Sequence, residues 1–71
     1  MQRPLDVLGN SLEKRILIRT KRGDDIVGVL KAFDSHINIA LDEASISGEN
    51  EVQLGTVLVR GDNIVFISPG K

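Results

Sequence analysis

The segment 34–38, Asp-Ser-His-Ile-Asn, concentrates side chains that could do chemistry. Asp34, His36 and Asn38 alternate, so an extended backbone would place them on one face, as metal ligands often are. The chain has a single histidine and no cysteine, which argues against a metal site. Ser35 and His36 do not make a nucleophile–base pair, because adjacent strand residues point to opposite faces. We therefore predict no catalytic residues, no metal and no cofactor.

A second polar segment, Arg60-Gly61-Asp62, spells a cell-adhesion tripeptide, but three residues carry little information. A turn alone would explain Gly61, and Asn38 could simply bind backbone groups in another turn. We assign Asp34 mainly to that role, as an acceptor of backbone N–H groups. The same residue types also suit a nucleobase, since imidazole and guanidinium planes can stack on its faces and an amide can read its Watson–Crick edge.

The elements that must position these residues are mostly strands. The 71 residues include 8 Ile and 7 Val but only 3 Ala, a bias typical of pleated sheets. Leucines spaced along one face predict a short helix at about 4–12, with Pro4 in its first turn and an end near Gly9 to Leu12. Five strands are predicted beyond it, within 15–68; their ranges are 15–20, 25–33, 37–47, 52–60 and 64–68.

The turns between these strands are too short for crossovers, so we predict an antiparallel meander after the helix. The second and third strands are long for so small a domain and must bend, with Gly28 as the natural bending point. The expected architecture is a single domain, 1–71, formed by a strongly bent five-stranded small barrel with an N-terminal helix.

The last two strands contain Val57-Leu58-Val59 and Ile64-Val65-Phe66-Ile67, which are apolar on both faces. One face belongs to the core, and the other is an aggregation hazard unless a partner covers it. Self-association through these edges is the simplest solution, and a head-to-tail contact closes into a ring if the rotation allows.

Overall charge and composition limit the possible partners. The formal net charge is −1 and aromatic residues make up 3% of the chain, so there is neither a global positive field nor an abundance of stacking rings for nucleic acid. No apolar segment is long enough to predict a membrane span. The absence of cysteine and of a signal-peptide pattern leads us to expect a cytoplasmic protein.

Two segments resemble the paired signatures of the Sm-like (Sm/Lsm) family. They are GVLKAFDSHINIAL at 28–41 and VRGDNIVFI at 59–67, and the resemblance is closest to the archaeal branch. Departures are mild: Ile37 stands where Met is common and Ala32 where Gly is common, and the turn at 48–51 is short. The resemblance implies the Sm fold, an SH3-like small barrel, and a homo-oligomeric ring, expected to be a heptamer.

The resemblance also implies that the ring binds single-stranded uridine-rich RNA at the inner rim of its pore, as an RNA chaperone or a ribonucleoprotein assembly platform. It places the RNA-binding residues in two turns that form one pocket: His36, Asn38, Arg60, Gly61 and Asp62. Other RNA-processing proteins are possible partners. The alternative is a small barrel that offers its edges and helix to other proteins without specific RNA binding.

Selection of uracil over cytosine requires a fixed Asn38 amide, because a flipped amide would suit cytosine equally well. Asp62, a carboxylate that only accepts hydrogen bonds at neutral pH, is the predicted group that holds the amide. A backbone N–H from the Gly61-Asp62 turn is expected to meet a uracil carbonyl.

Overall fold

The computed structural model describes residues 3–69, which form a short helix and one antiparallel sheet. The helix α1 spans Pro4–Gly9. The five strands are β1 Arg15–Thr20, β2 Asp25–Phe33, β3 Ile39–Ser47, β4 Val52–Val59 and β5 Ile64–Ser68, with a short 3₁₀ turn at Gly61–Asn63. This confirms the predicted mostly-β fold with a helix before a bent five-stranded antiparallel sheet.

The order of strands in the sheet is β4-β3-β2-β1-β5, so the meander extends over only four strands. β5 returns to pair with β1, where Ile18 lies opposite Ile67 and Arg19 opposite Phe66. The sheet bends far enough for the short turn at Gly61–Asn63 to connect its two opposite edges. β4 and β5 are therefore both edge strands of the described chain.

The helix ends at Gly9, at the near limit of the predicted range for its end. The backbone N–H of Glu13 donates to the carbonyl of Leu30 at 2.8 Å, and the Leu30 N–H donates to the carbonyl of Lys14 at 2.9 Å. These bonds to β2 take the place of further helical bonds, and Glu13 adopts a φ of 67°. Leu8 is buried, whereas Leu12, beyond the helix, is exposed.

Two strand boundaries also differ from the predictions. β3 begins at Ile39 instead of residue 37, because Ile37 has a φ of 62° in the turn before it. β4 ends at Val59 instead of residue 60, because Arg60 leads into the 3₁₀ turn. Both differences lengthen the turns that carry the candidate site.

Gly28 lies where β2 changes register against β3, between Val27 and Val29. A Cβ at Gly28 would approach both the Cα of Ala44 and the carbonyl oxygen of Asp42 to 3.1 Å. The lack of a side chain thus permits the close approach of two strands at the bend, as predicted for this position.

The core combines Leu8 of α1 with side chains of the sheet, and its fully buried side chains are Ile16, Ile18, Leu30, Ile39 and Leu41. The edge strands instead expose apolar side chains. Leu58 on β4 is 72% exposed, and Val65 and Phe66 on β5 are 59% and 46% exposed. Within residues 3–69, no helix has the length and apolar character needed to cross a membrane.

Candidate nucleic-acid interface

The turn between β2 and β3 is organised by Asp34. Its Oδ1 accepts hydrogen bonds from the backbone N–H groups of His36 at 2.9 Å and Asn38 at 3.1 Å. The backbone of Asp34 adds two bonds, to Ile37 at 3.0 Å and to Asn38 at 3.2 Å. The predicted turn role of Asp34 is confirmed, and these bonds hold the turn so that His36 stays exposed at its tip.

The side-chain amide of Asn38 is held at both ends. Its Nδ2 donates to Oδ2 of Asp34 at 3.0 Å, and its Oδ1 accepts the backbone N–H of Gly61 at 2.8 Å. The backbone donor requires an oxygen and the carboxylate requires an N–H, so only one orientation of the amide satisfies both. One N–H and one acceptor position of the amide remain for a ligand.

This arrangement corrects the predicted role of Asp62. Asp62 lies 3.3 Å from the guanidinium of Arg60, with both side chains exposed, and it does not hold the Asn38 amide. Of the backbone N–H groups in the Gly61-Asp62 turn, one of which was expected to meet a uracil carbonyl, that of Gly61 is used by Asn38. Asp34 takes the orienting role because its second carboxylate oxygen is free after the first has bound the turn.

Gly61 brings the two turns into contact. A Cβ built on Gly61 would overlap the carbonyl oxygen of His36 and lie 3.0 Å from the carbonyl carbon of Ile37. Its φ is not in the left-handed region, so this glycine is required by the close approach of the two backbones rather than by an unusual conformation.

The two turns enclose one open cavity of about 460 Å³. Its lining residues are His36, Asn38, Arg60, Gly61 and Asp62. The structure therefore brings all five predicted site residues together. Their contact with RNA remains a prediction.

Hydrogen bonding also sets the charge state of the site. The pKa of Asp34 is lowered from its ordinary value, chiefly by the side-chain hydrogen bond from Asn38 and then by the backbone N–H of the same residue. The carboxylate is accordingly ionised and accepts hydrogen bonds at neutral pH. Across residues 3–69, no three His, Cys, Asp or Glu side chains are grouped so as to hold a metal ion.

The two motifs lie within a recognised domain. The family model of the LSM domain matches residues 6–69. The chain belongs to the LSM family. It is similar to an Sm-like protein of Methanosarcina barkeri, with 44% identity over 69 residues that cover 94% of this chain and 96% of that protein. An Sm-like protein of Archaeoglobus fulgidus is 42% identical over 69 residues, covering 94% and 90% of the two chains.

Solved Sm structures match this LSM chain closely. A heptameric archaeal Sm protein has a TM-score of 0.88 at 36% identity, covering 93% of this chain and 98% of that one. The Sm protein of Pyrococcus abyssii in complex with a uridine heptamer has a TM-score of 0.90 at 39% identity, covering 97% and 100%. The resemblance to archaeal Sm-like proteins is confirmed, and membership of this RNA-binding, non-enzymatic family agrees with the prediction of no enzymatic activity.

The sequence of this LSM chain led to a correct but incomplete prediction for Asp34. Asp34 was assigned to the turn, but its bond to the Asn38 side chain was not predicted. The i, i+4 spacing of the two residues does not reveal this bond by itself, because the bond depends on how the turn folds.

Proposed function

We propose that this protein binds single-stranded uridine-rich RNA, one base per subunit, at the inner rim of a homo-oligomeric ring. The observation that carries the proposal is the fixed amide of Asn38. With Oδ1 and Nδ2 held in place, the amide accepts from N3–H of uracil and donates to its O4. Cytosine would present an acceptor to Oδ1 and an amine to Nδ2, which leaves both pairs unmatched.

The faces of the base would be covered by His36 and Arg60. Both side chains are exposed on the rim of the same cavity, on opposite turns, and each has a planar group suited to stacking. Asp62 pairs with Arg60 and would limit where the guanidinium can lie. This site needs neither tyrosine nor tryptophan, which the chain lacks.

The ring is supported by β4 and β5, which are edge strands within residues 3–69, and by their exposed apolar side chains. Two solved relatives, at 36% and 33% identity, are heptamers, and we propose the same state here. The chain has no net positive charge to attract RNA, but a ring can still bind it tightly. Several weak pockets on one RNA strand act together, because each bound base raises the effective concentration of the next. A related Sm protein was solved with a uridine heptamer, which supports uridine as the ligand.

The cellular role follows from this chemistry as part of the same proposal. A ring that holds unpaired uridines without cutting them suits an RNA chaperone or a ribonucleoprotein assembly platform. Other RNA-processing proteins would then meet the RNA on the ring. A cytoplasmic location remains a prediction.

The test compares labelled oligouridylate and oligoadenylate by fluorescence anisotropy, with ring mass checked by native mass spectrometry. We expect uridine to bind more tightly and the affinity to rise with oligomer length. His36→Ala and Arg60→Ala should each cost about 1–3 kcal/mol per occupied site, because each removes one stacking face.

Arg15→Ala is the matched control, since it removes an exposed positive charge outside the cavity. If both pocket variants bind like the wild type in rings of unchanged mass, the assignment of the pocket is wrong. A wild-type ring that binds no uridine oligomer would favour the protein-interaction alternative.

A further inference from the structure

Phe66 stands on the outer face of β5, away from the core. It lies opposite Arg19 in the β1–β5 pair, whereas the adjacent pair joins the buried Ile18 to Ile67. The Arg19 guanidinium lies over the Phe66 ring at 5.2 Å from its centre, within the range of a cation–π contact. Arg19 is itself held by a two-pronged ion pair with Asp25, which keeps the guanidinium beside the half-exposed ring.

The outer face of the opposite edge carries a depression. Leu58 on β4 pairs with Ala40 on β3, and Ala40 pairs in turn with Ala32 on β2. The two small alanine side chains leave space beside the exposed leucine. The cavity here measures about 440 Å³, and Asp34, Asn38 and Arg60 are among the other residues that line it. Asn38 and Arg60 therefore line both this depression and the proposed base pocket.

The symmetry of a ring brings these two features together. β4 ends and β5 begins at the same turn, and in a closed ring all copies of that turn lie on one circle. Antiparallel pairing of β4 with the β5 of the next copy then places the end of β4, with Leu58, beside the start of β5, with Phe66. Pairing also continues the outer face of one sheet into the next.

We propose that Phe66 of the neighbouring copy fills the depression beside Leu58. There it packs against Asn38 and Arg60 on the side that faces the depression rather than the base pocket. Phe66 is thus a positioning residue for the uracil pocket, and the pocket is complete only in the ring. This inference rests on the ring and the uridine binding proposed above. It adds that subunit assembly and base binding are coupled through one aromatic side chain, itself held by Arg19 and Asp25.

The first test is Phe66→Leu, which keeps an apolar side chain but removes the planar ring. In rings of unchanged mass by native mass spectrometry, we expect the affinity for each uridine to fall about threefold to tenfold. Phe66→Tyr should restore the affinity. Val52→Ala is the matched control, because Val52 is 49% exposed on the edge strand β4 but lies about 20 Å along that strand from Leu58.

The second test does not depend on the ring surviving Phe66→Leu. The chain has no tryptophan, so Phe66→Trp introduces a single fluorophore at the proposed contact. We expect its emission to shift to shorter wavelength when the ring forms and to change again when a uridine heptamer is added. The control Val52→Trp should not respond to the uridine heptamer.

The outcomes separate the levels of the proposal. Phe66→Trp emission that responds to assembly but not to uridine would reduce Phe66 to an interface residue and overturn the coupling. Phe66→Leu rings with wild-type uridine affinity would do the same. A wild-type ring that binds no uridine would instead defeat the proposed function, and a stable wild-type monomer would defeat the ring.

Discussion

The backbone N–H of Gly61 donates a hydrogen bond to Oδ1 of Asn38 at 2.8 Å, joining two turns that are 23 residues apart. Because a backbone N–H cannot accept a hydrogen bond, this contact decides which end of the amide faces it. The hydrogen-bond donor and acceptor that Asn38 presents to a ligand thus depend on the close approach of the two turns.

Gly61→Ala should separate the two turns, because its Cβ would overlap the carbonyl oxygen of His36. We expect a loss of about 1–3 kcal/mol in the free energy of unfolding, as for other overpacked sites, together with loss of uridine binding. Urea unfolding and anisotropy measure the two effects. Gly9→Ala is the control, since a Cβ there meets no atom within 4 Å; equal behaviour of the two variants would contradict the steric argument.

Asp34→Ala should reduce the preference for uridine over cytidine, whereas Asp62→Ala should leave it close to the wild-type ratio. Asp34 holds the Nδ2 end of the Asn38 amide, whereas Asp62 pairs with Arg60. The loss of uridine affinity in Asp34→Ala should be about 1–3 kcal/mol per site. Matched uridine and cytidine heptamers provide the ratio. A selective loss in Asp62→Ala alone would restore Asp62 as the orienting group.

The free energy of unfolding should decrease at acid pH. It should change little with pH above the range in which carboxylates ordinarily titrate. Hydrogen bonds lower the pKa of Asp25, through Arg19, and of Asp42, through Thr56, and Asp34 behaves likewise. The unfolded chain then binds more protons than the folded one, so stability is present above the unfolded pKa near 4 and is lost as pH falls through the folded values.

Thermal unfolding between pH 2 and pH 7 tests this dependence. Asp25→Asn should flatten the acid limb because the titrating partner of Arg19 is gone. A wild-type melting temperature that decreased between pH 5 and pH 7 would show that other groups control the pH dependence.

Val65→Glu should dissociate the ring into folded monomers, because Val65 is 59% exposed on the edge strand β5. Ile67→Glu should instead unfold the chain, since Ile67 packs against the core. Native mass spectrometry should show a change from about 54 kDa, seven copies of the 7.7 kDa chain, to the single chain. Leu12→Glu, an exposed leucine outside the strands, should keep the ring mass; its dissociation would mean that any added charge breaks the ring.

Much of this protein is determined by short-range features of its sequence. β-branched residues in runs of the right length define the five strands, and Gly28 marks the bend, where a Cβ would come within 3.1 Å of the Cα of Ala44. The residue types of the two turns, read with the resemblance to Sm-like proteins, also identified the five residues that line the cavity. These features are local, so the order of residues is enough to reveal them.

The tertiary structure decided what depends on distant residues meeting. The pairing of β5 with β1 instead of β4 follows from the bend of the whole sheet, which no single turn encodes. The attachment of the segment after α1 to the sheet depends on backbone bonds of Glu13 and Lys14 with Leu30. The orientation of Asn38 by Asp34 and Gly61, rather than by Asp62, depends on which groups lie within about 3 Å after the chain has closed, and hydrogen bonds are too short in range for residue spacing to reveal that choice.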